Sequence, residues 1–119
     1  MTDKAALIID EDRSHCKGVA LAMKEIFIEI SSTNNPYAAI ETLKSKPESI
    51  IITDIKFSMM EGMKLVKLIS ELSPASQIII CSSFLTQVQK KQLSKIGVQH
   101  FFEKPLQIDV LKNTVRKLI

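Results

Sequence analysis

Four short apolar runs in this chain each end in a group able to handle phosphate. They are Leu7-Ile8-Ile9 before Asp10-Glu11, Ile50-Ile51-Ile52-Thr53 before Asp54, Ile78-Ile79-Ile80-Cys81 before Ser82, and Phe101-Phe102 before Lys104-Pro105. Unbroken β-branched runs of this length mark strands covered by helices on both faces, the situation of a parallel sheet. In an open parallel sheet, ligands bind in the crevice beyond the carboxyl ends of the strands. If the four runs are neighbours, the carboxylates of Asp10, Glu11 and Asp54, the Ser82 hydroxyl and the Lys104 ammonium converge at one edge.

The segments between these runs have helical period. Cys16, Val19, Ala20, Met23 and Phe27 recur at helical spacing, with Ser14 available as an N-cap. Ile26 to Ile30 then reads as a short second strand. Asn34-Asn35-Pro36 is a turn that places Pro36 at the first position of a helix, with Ile40 and Leu43 buried and Lys46-Pro47 ending it. Met63, Val66, Leu68, Ile69 and Leu72 belong to a third helix stopped by Ser73-Pro74. A fourth runs from about Thr86 to Lys95 and closes at Gly97. Its polar run, from Gln87 through Gln92, leaves it little to bury, so it is expected to be the most mobile element. Ile108, Leu111, Val115 and Leu118 share one face of a fifth. Strand and helix alternate five times, which predicts a single three-layer, doubly wound (βα)5 α/β domain with right-handed crossovers. Its five parallel strands would lie in the flavodoxin-like order 2-1-3-4-5.

Composition narrows the function classes. The 119 residues suit one domain with a single core, 45% hydrophobic and 24% charged, with three glycines and no tryptophan. No apolar run approaches the roughly 18 residues of a membrane span. Met1-Thr2-Asp3-Lys4 lacks a signal-peptide layout, so a cytoplasmic protein is expected, with Cys16 and Cys81 as reduced thiols. The net charge of +3 comes partly from Lys90-Lys91-Lys95 and Lys112-Arg116-Lys117. Their helical spacing reads as solvated helix faces, and without interleaved aromatics it does not predict nucleic-acid binding. His15 and His100 stand alone in sequence, so neither is assigned as a ligand or phosphate carrier.

Strand order 2-1-3 makes the ends of the first and third strands neighbours. Carboxylates ~4 Å apart repel by about 4 kcal/mol per pair at an effective dielectric near 20. A divalent cation removes that cost, and an all-oxygen site that keeps several waters suits Mg²⁺. Asp54 can then act as a carboxylate nucleophile at phosphorus and form an acyl phosphate. Lys104 can pair with the new phosphoryl oxygens and Ser82 can hydrogen-bond another.

In these motifs the chain resembles the response-regulator receiver domain, the phosphoacceptor half of two-component signalling. The matching residues are Leu7-Ile8-Ile9-Asp10-Glu11, Thr53-Asp54 with Gly62 eight residues on, Ile79-Ile80-Cys81-Ser82-Ser83, and Phe102-Glu103-Lys104-Pro105. The resemblance spans essentially residues 1–119. It implies that Asp54 is the phosphorylation site and that Asp10, Glu11, Asp54 and the Lys56 carbonyl serve Mg²⁺, for which Mn²⁺ can substitute. It also implies that Ser82 is the switch hydroxyl, that Phe101 holds the place of the switch aromatic, and that Lys104–Pro105 is cis. The implied partners are a histidine kinase or phosphotransfer protein, and a downstream protein or C-terminal output domain. The latter would be met through the fourth helix, fifth strand and fifth helix. A monomer is expected, with dimerisation possible on phosphorylation.

The chain departs from the family pattern at three positions. Ser58 stands where proline is usual, Glu11 replaces the commoner second aspartate, and Phe101 lacks the usual tyrosine hydroxyl. Lys56 and Phe84 would flank the phosphoryl group and shield it. Two other classes compete. A haloacid-dehalogenase-type phosphohydrolase would use Asp10 of Asp10-Glu11-Asp12 as nucleophile. A pseudo-receiver would keep the fold as a binding module without phosphorylation.

Overall fold

The computed structural model describes residues 4–27 and 29–119. Met1–Asp3, read above for a signal peptide, and Ile28, within the expected second strand, lie outside them. The elements alternate: β1 (Ala5–Ile9), α1 (Arg13–Met23), β2 (Glu29–Thr33), α2 (Pro36–Ser45), β3 (Ile50–Thr53), α3 (Gly62–Leu72), β4 (Gln77–Ser82), α4 (Gln87–Ile96), β5 (His100–Glu103) and α5 (Ile108–Leu118). All strand pairs are parallel, in the order β2-β1-β3-β4-β5.

The apolar runs stay continuous because successive side chains enter different cores. Leu7, Ile9, Ile51, Ile78 and Ile80 face α2, α3 and α4, meeting Ala39, Leu43, Leu65, Val66, Ile69 and Leu93. Ala6, Ile8, Ile50, Ile52, Ile79 and Cys81 face α1 and α5, meeting Cys16, Val19, Met23, Leu111 and Val115. Each buried isoleucine contributes about 1.5–3 kcal/mol relative to exposure. Among the described residues no helix is long and apolar enough to cross a membrane.

The helix ends follow local chemistry, with one correction. Asp12, not Ser14, caps α1, its carboxylate accepting from the His15 N–H at 3.1 Å. Asn35 caps α2 with Pro36 inside the first turn, and Thr86 and Gln89 close a reciprocal capping box on α4. Gly97 ends α4 in the left-handed region, φ 112°, where a side chain would be strained. Only Leu93 of α4 is buried.

The second strand also differs from expectation. Lys24 to Ile26 form a turn, Phe27 is buried outside the helix, and β2 runs Glu29–Thr33 instead of Ile26–Ile30. As an edge strand paired only to β1 it needs no apolar run, and its Glu-Ile-Ser-Ser-Thr sequence carries none. Lys112 and Arg116 pair with Glu25 beyond the end of α1, Arg116 remaining exposed as a solvated face requires and Lys112 largely covered.

Candidate functional site

Register brings the chemistry together. Ile9 pairs with Thr33 on one side and Thr53 on the other, and Thr53 pairs with Ile80, so Asp10 and Asp54 emerge side by side at the carboxyl edge. The ladder continues into the residues that follow: the Asp54 N–H bonds the Ile9 carbonyl at 3.0 Å, and the Lys104 N–H bonds that of Ser82 at 3.0 Å. Lys104–Pro105 is cis, as expected.

Asp54 is 6% exposed and fully engaged. Its Oδ1 accepts from the backbone N–H of Ile55 at 2.6 Å and of Lys56 at 3.1 Å, and its Oδ2 accepts from Lys104 Nζ at 2.7 Å. The same Nζ donates to Asp10 Oδ2 at 2.8 Å, so one ammonium bridges two buried carboxylates. Burial opposes ionisation of Asp54, but the Lys104 ammonium and the two backbone donors outweigh it and hold the carboxyl below its ordinary range. Burial likewise opposes the charge on Lys104, and hydrogen bonds to Asp10 and Asp54 more than reverse this. Cys81, beneath the site, is pushed up to about 12 by burial and is an inert thiol.

A cleft of about 380 Å³ opens above this cluster, lined by Asp10, Glu11, Asp12, Asp54, Lys56, Ser83 and Lys104. Asp10, Glu11, Asp12 and Asp54 give it carboxylate oxygens, a hard set that fits Mg²⁺. Among the described residues, no three His, Cys, Asp or Glu side chains are grouped as a metal site. Glu11 Oε2 accepts from the Ser58 N–H and hydroxyl, each at 2.8 Å. Those two donors hold its carboxyl below the usual range, with burial and nearby Asp54 opposing.

The remaining expected residues are placed as follows. Ser82 is fully buried and its hydroxyl reaches the Phe84 carbonyl at 3.5 Å, so the hydroxyl bordering the cleft is that of Ser83. Phe101 is half-buried on β5 and packs against the α2–α4 core. Lys56 spans the mouth, its Nζ 3.1 Å from Ser83 Oγ and 5.8 Å from the centre of the Phe84 ring. Phe84 itself is 60% exposed.

One residue was missed. His15 is not unpaired, for its Nδ1 lies 2.7 Å from Asp10 Oδ2, and its Nε2 is buried without a partner. In the first turn of α1, its ring faces back to Asp10, three residues before the helix. The five-residue separation from Asp10 was the available signal.

The family model for the response regulator receiver domain matches residues 6–116. The chain belongs to that family. A phosphorylation switch in two-component signalling is the family's role, and receiver domains generally bind Mg²⁺ at the acidic pocket. Membership removes the dehalogenase-type reading of Asp10. Among curated relatives, the chain is 32% identical to the uncharacterized transcriptional regulatory protein YesN of Bacillus subtilis over 76% of its own length, and it spans 24% of that protein. Among solved structures, it resembles a two-component response regulator from Clostridium difficile, with TM-score 0.90 and 23% identity, covering 98% of this chain and 95% of that one. It also resembles a response regulator from Burkholderia pseudomallei solved with a phosphorylated aspartic acid, a calcium ion and citrate. There the TM-score is 0.85 at 17% identity, covering 97% of this chain and 72% of that one.

Proposed function

We propose that residues 1–119 act as one cytoplasmic receiver domain in which Asp54 is the phosphoacceptor. The observation that carries this is the Lys104 ammonium bridging Asp54 and Asp10 at the carboxyl edge of β1, β3 and β5. An Asp54 carboxylate oxygen attacks the phosphorus of a phosphohistidine donor. The P–N bond breaks with its electron pair leaving on the imidazole nitrogen, and an acyl phosphate forms on Asp54.

Asp10, Glu11, Asp54 and the Lys56 carbonyl would hold Mg²⁺, which supplies charge neutralisation as the phosphoryl oxygens approach. Lys104 meets the added oxygens with a charge-assisted hydrogen bond. The backbone donors of Ile55 and Lys56 keep the carboxylate oriented and ionised. The domain assists its own phosphorylation and dephosphorylation and is a switch rather than a metabolic enzyme. That Asp10, Glu11, Asp54, Lys104 and a β4-end hydroxyl are all present favours this over the pseudo-receiver.

The response is a shift between pre-existing conformations, Ser82 turning from the Phe84 carbonyl towards the phosphoryl group and Phe101 following inwards. The α4–β5–α5 face then changes its preference for a downstream protein or an output domain. Exposed Val88 on α4 and Val110 on α5 support a docking role there. The phosphoryl source is a histidine kinase or phosphotransfer protein. The domain alone binds neither nucleic acid nor membrane, and it is monomeric until phosphorylated.

Beryllium fluoride with Mg²⁺, a phosphoryl mimic, tests the switch by amide NMR. Shifts extending from Asp54 through β4, α4 and β5 are expected. Changes confined to the cleft would support a pseudo-receiver.

A further inference from the structure

Two of the departures from the family pattern are partners in the fold. Glu11, at the β1–α1 junction, and Ser58, between β3 and α3, are 47 residues apart in sequence and meet through both of the serine's donors. A proline at 58 would have neither an N–H nor a hydroxyl to offer. An aspartate at 11 would be one methylene shorter.

The segment carrying Ser58 is pinned at both ends. At one end the N–H groups of Ile55 and Lys56 hold Asp54. At the other, Gly62 packs directly on the Ile55 backbone. Between them two tethers reach the segment: the Tyr37 hydroxyl donates to the Met59 carbonyl at 3.3 Å, and Ser58 donates to Glu11. Ser58 and Met59 are exposed, whereas Phe57 and Met60 pack against the core.

We infer that Ser58 is a positioning residue that holds Glu11 Oε2 against the β3–α3 segment, so that Mg²⁺ capturing this oxygen must unclasp the segment from the β1–α1 loop. This rests on the reading of the cleft as a Mg²⁺ site. Glu11 borders the cleft, yet its Oε2 is taken up by both Ser58 donors. The cation and the two Ser58 donors therefore compete for the same oxygen, Oε2. By linkage the coupling is reciprocal: whatever stabilises the clasp weakens Mg²⁺ binding, and Mg²⁺ loosens the segment before any phosphate arrives. Metal occupancy becomes a conformational input in its own right.

The test is a Mg²⁺ titration of the full chain, followed by calorimetry and by amide NMR at Ser58. The variants are Ser58→Ala, which removes one donor, and Ser58→Pro, which removes both. In the wild type, Mg²⁺ should shift the Ser58 amide and speed its hydrogen exchange. Ser58→Ala should bind Mg²⁺ about two- to twelvefold more tightly, the worth of one hydrogen bond, and Ser58→Pro more tightly still. A merely structural loop residue would leave affinity unchanged or weaken it, and either result in a folded Ser58→Ala overturns the inference. If Asp54 is phosphorylated with Mg²⁺ yet Ser58→Ala gains no affinity, this inference falls and the receiver reading stands. If the wild type takes up no Mg²⁺, both fall.

Discussion

Replacing Lys104 with methionine keeps most of the apolar stem and removes the terminal ammonium. In the wild type the ammonium makes two charge-assisted bonds, 2.7 Å to Asp54 and 2.8 Å to Asp10, with carboxylate side chains 8% and 5% exposed. Breaking a buried pair by removing one partner costs about 3–5 kcal/mol, because the remaining charge is left uncompensated. Lys104 is itself 18% exposed, which allows some water to enter and places the expected loss near the lower figure, about 3 kcal/mol. For a chain of this size that is a fall of roughly 10 °C in the melting temperature.

The loss should depend on pH. In the wild type Asp54 is held below its ordinary pKa, so its contribution is fully present above the unfolded value and disappears as pH falls through the folded one. Without the ammonium, burial becomes the dominant influence, and the variant should lose stability as pH rises through the carboxylate range. The two proteins should therefore converge in acid and diverge at neutral pH. Mg²⁺ should raise the variant's stability, since at tenfold over its Kd a ligand adds about 1.4 kcal/mol. Urea unfolding across pH, with and without Mg²⁺, measures all of this. Equal midpoints at neutral pH, or a gap that persists undiminished in acid, would refute the reasoning.

Other perturbations probe separate parts of the account. Gly62→Ala places a methyl group on the Ile55 carbonyl, a backbone atom that cannot swing aside. A loss of about 3 kcal/mol in urea unfolding is expected, and less than about 0.5 would contradict that contact. The acyl phosphate of the wild type should last minutes or longer, because Lys56, held by Ser83 and set over the Phe84 ring, lies at the cleft mouth. Lys56→Ala or Phe84→Ala should shorten the decay followed by intact mass, and a wild-type lifetime of seconds would sink the shielding idea. Glu48 is buried with both carboxyl oxygens unpartnered, and burial raises its pKa against the pull of Lys46. Stability should fall as pH rises through that raised value, so Glu48→Gln should melt higher at neutral pH and equally in acid. A gain of the same size in acid would point elsewhere.

Fold legibility tracked how strongly each segment is constrained by burial. β1, β3 and β4 announce themselves because each must fill two cores, leaving no room for a polar residue until the sheet's edge. β2 faces a neighbour on one side only, so its polar sequence gave no strand signal and the apolar residues just before it drew the strand forward. The α1 cap was misplaced by two residues because Asp12 and Ser14 are both competent, and only the direction of the chain leaving β1 selects between them.

In the site, Asp10, Asp54 and Lys104 were legible through their position at strand ends. The His15–Asp10 contact was not, since it depends on how α1 is rotated against the sheet. The Glu11–Ser58 contact was hidden for another reason: each residue looked like an isolated departure from the pattern, and only the fold pairs them.

The most direct test of the central claim is intact-protein mass after incubation with acetyl phosphate, with and without Mg²⁺, on the wild type and Asp54→Asn. The account requires one added phosphoryl group in the wild type, dependent on Mg²⁺ and absent from the variant. No addition to the wild type would contradict the switch, and an addition that survives in Asp54→Asn would contradict the assigned carboxylate.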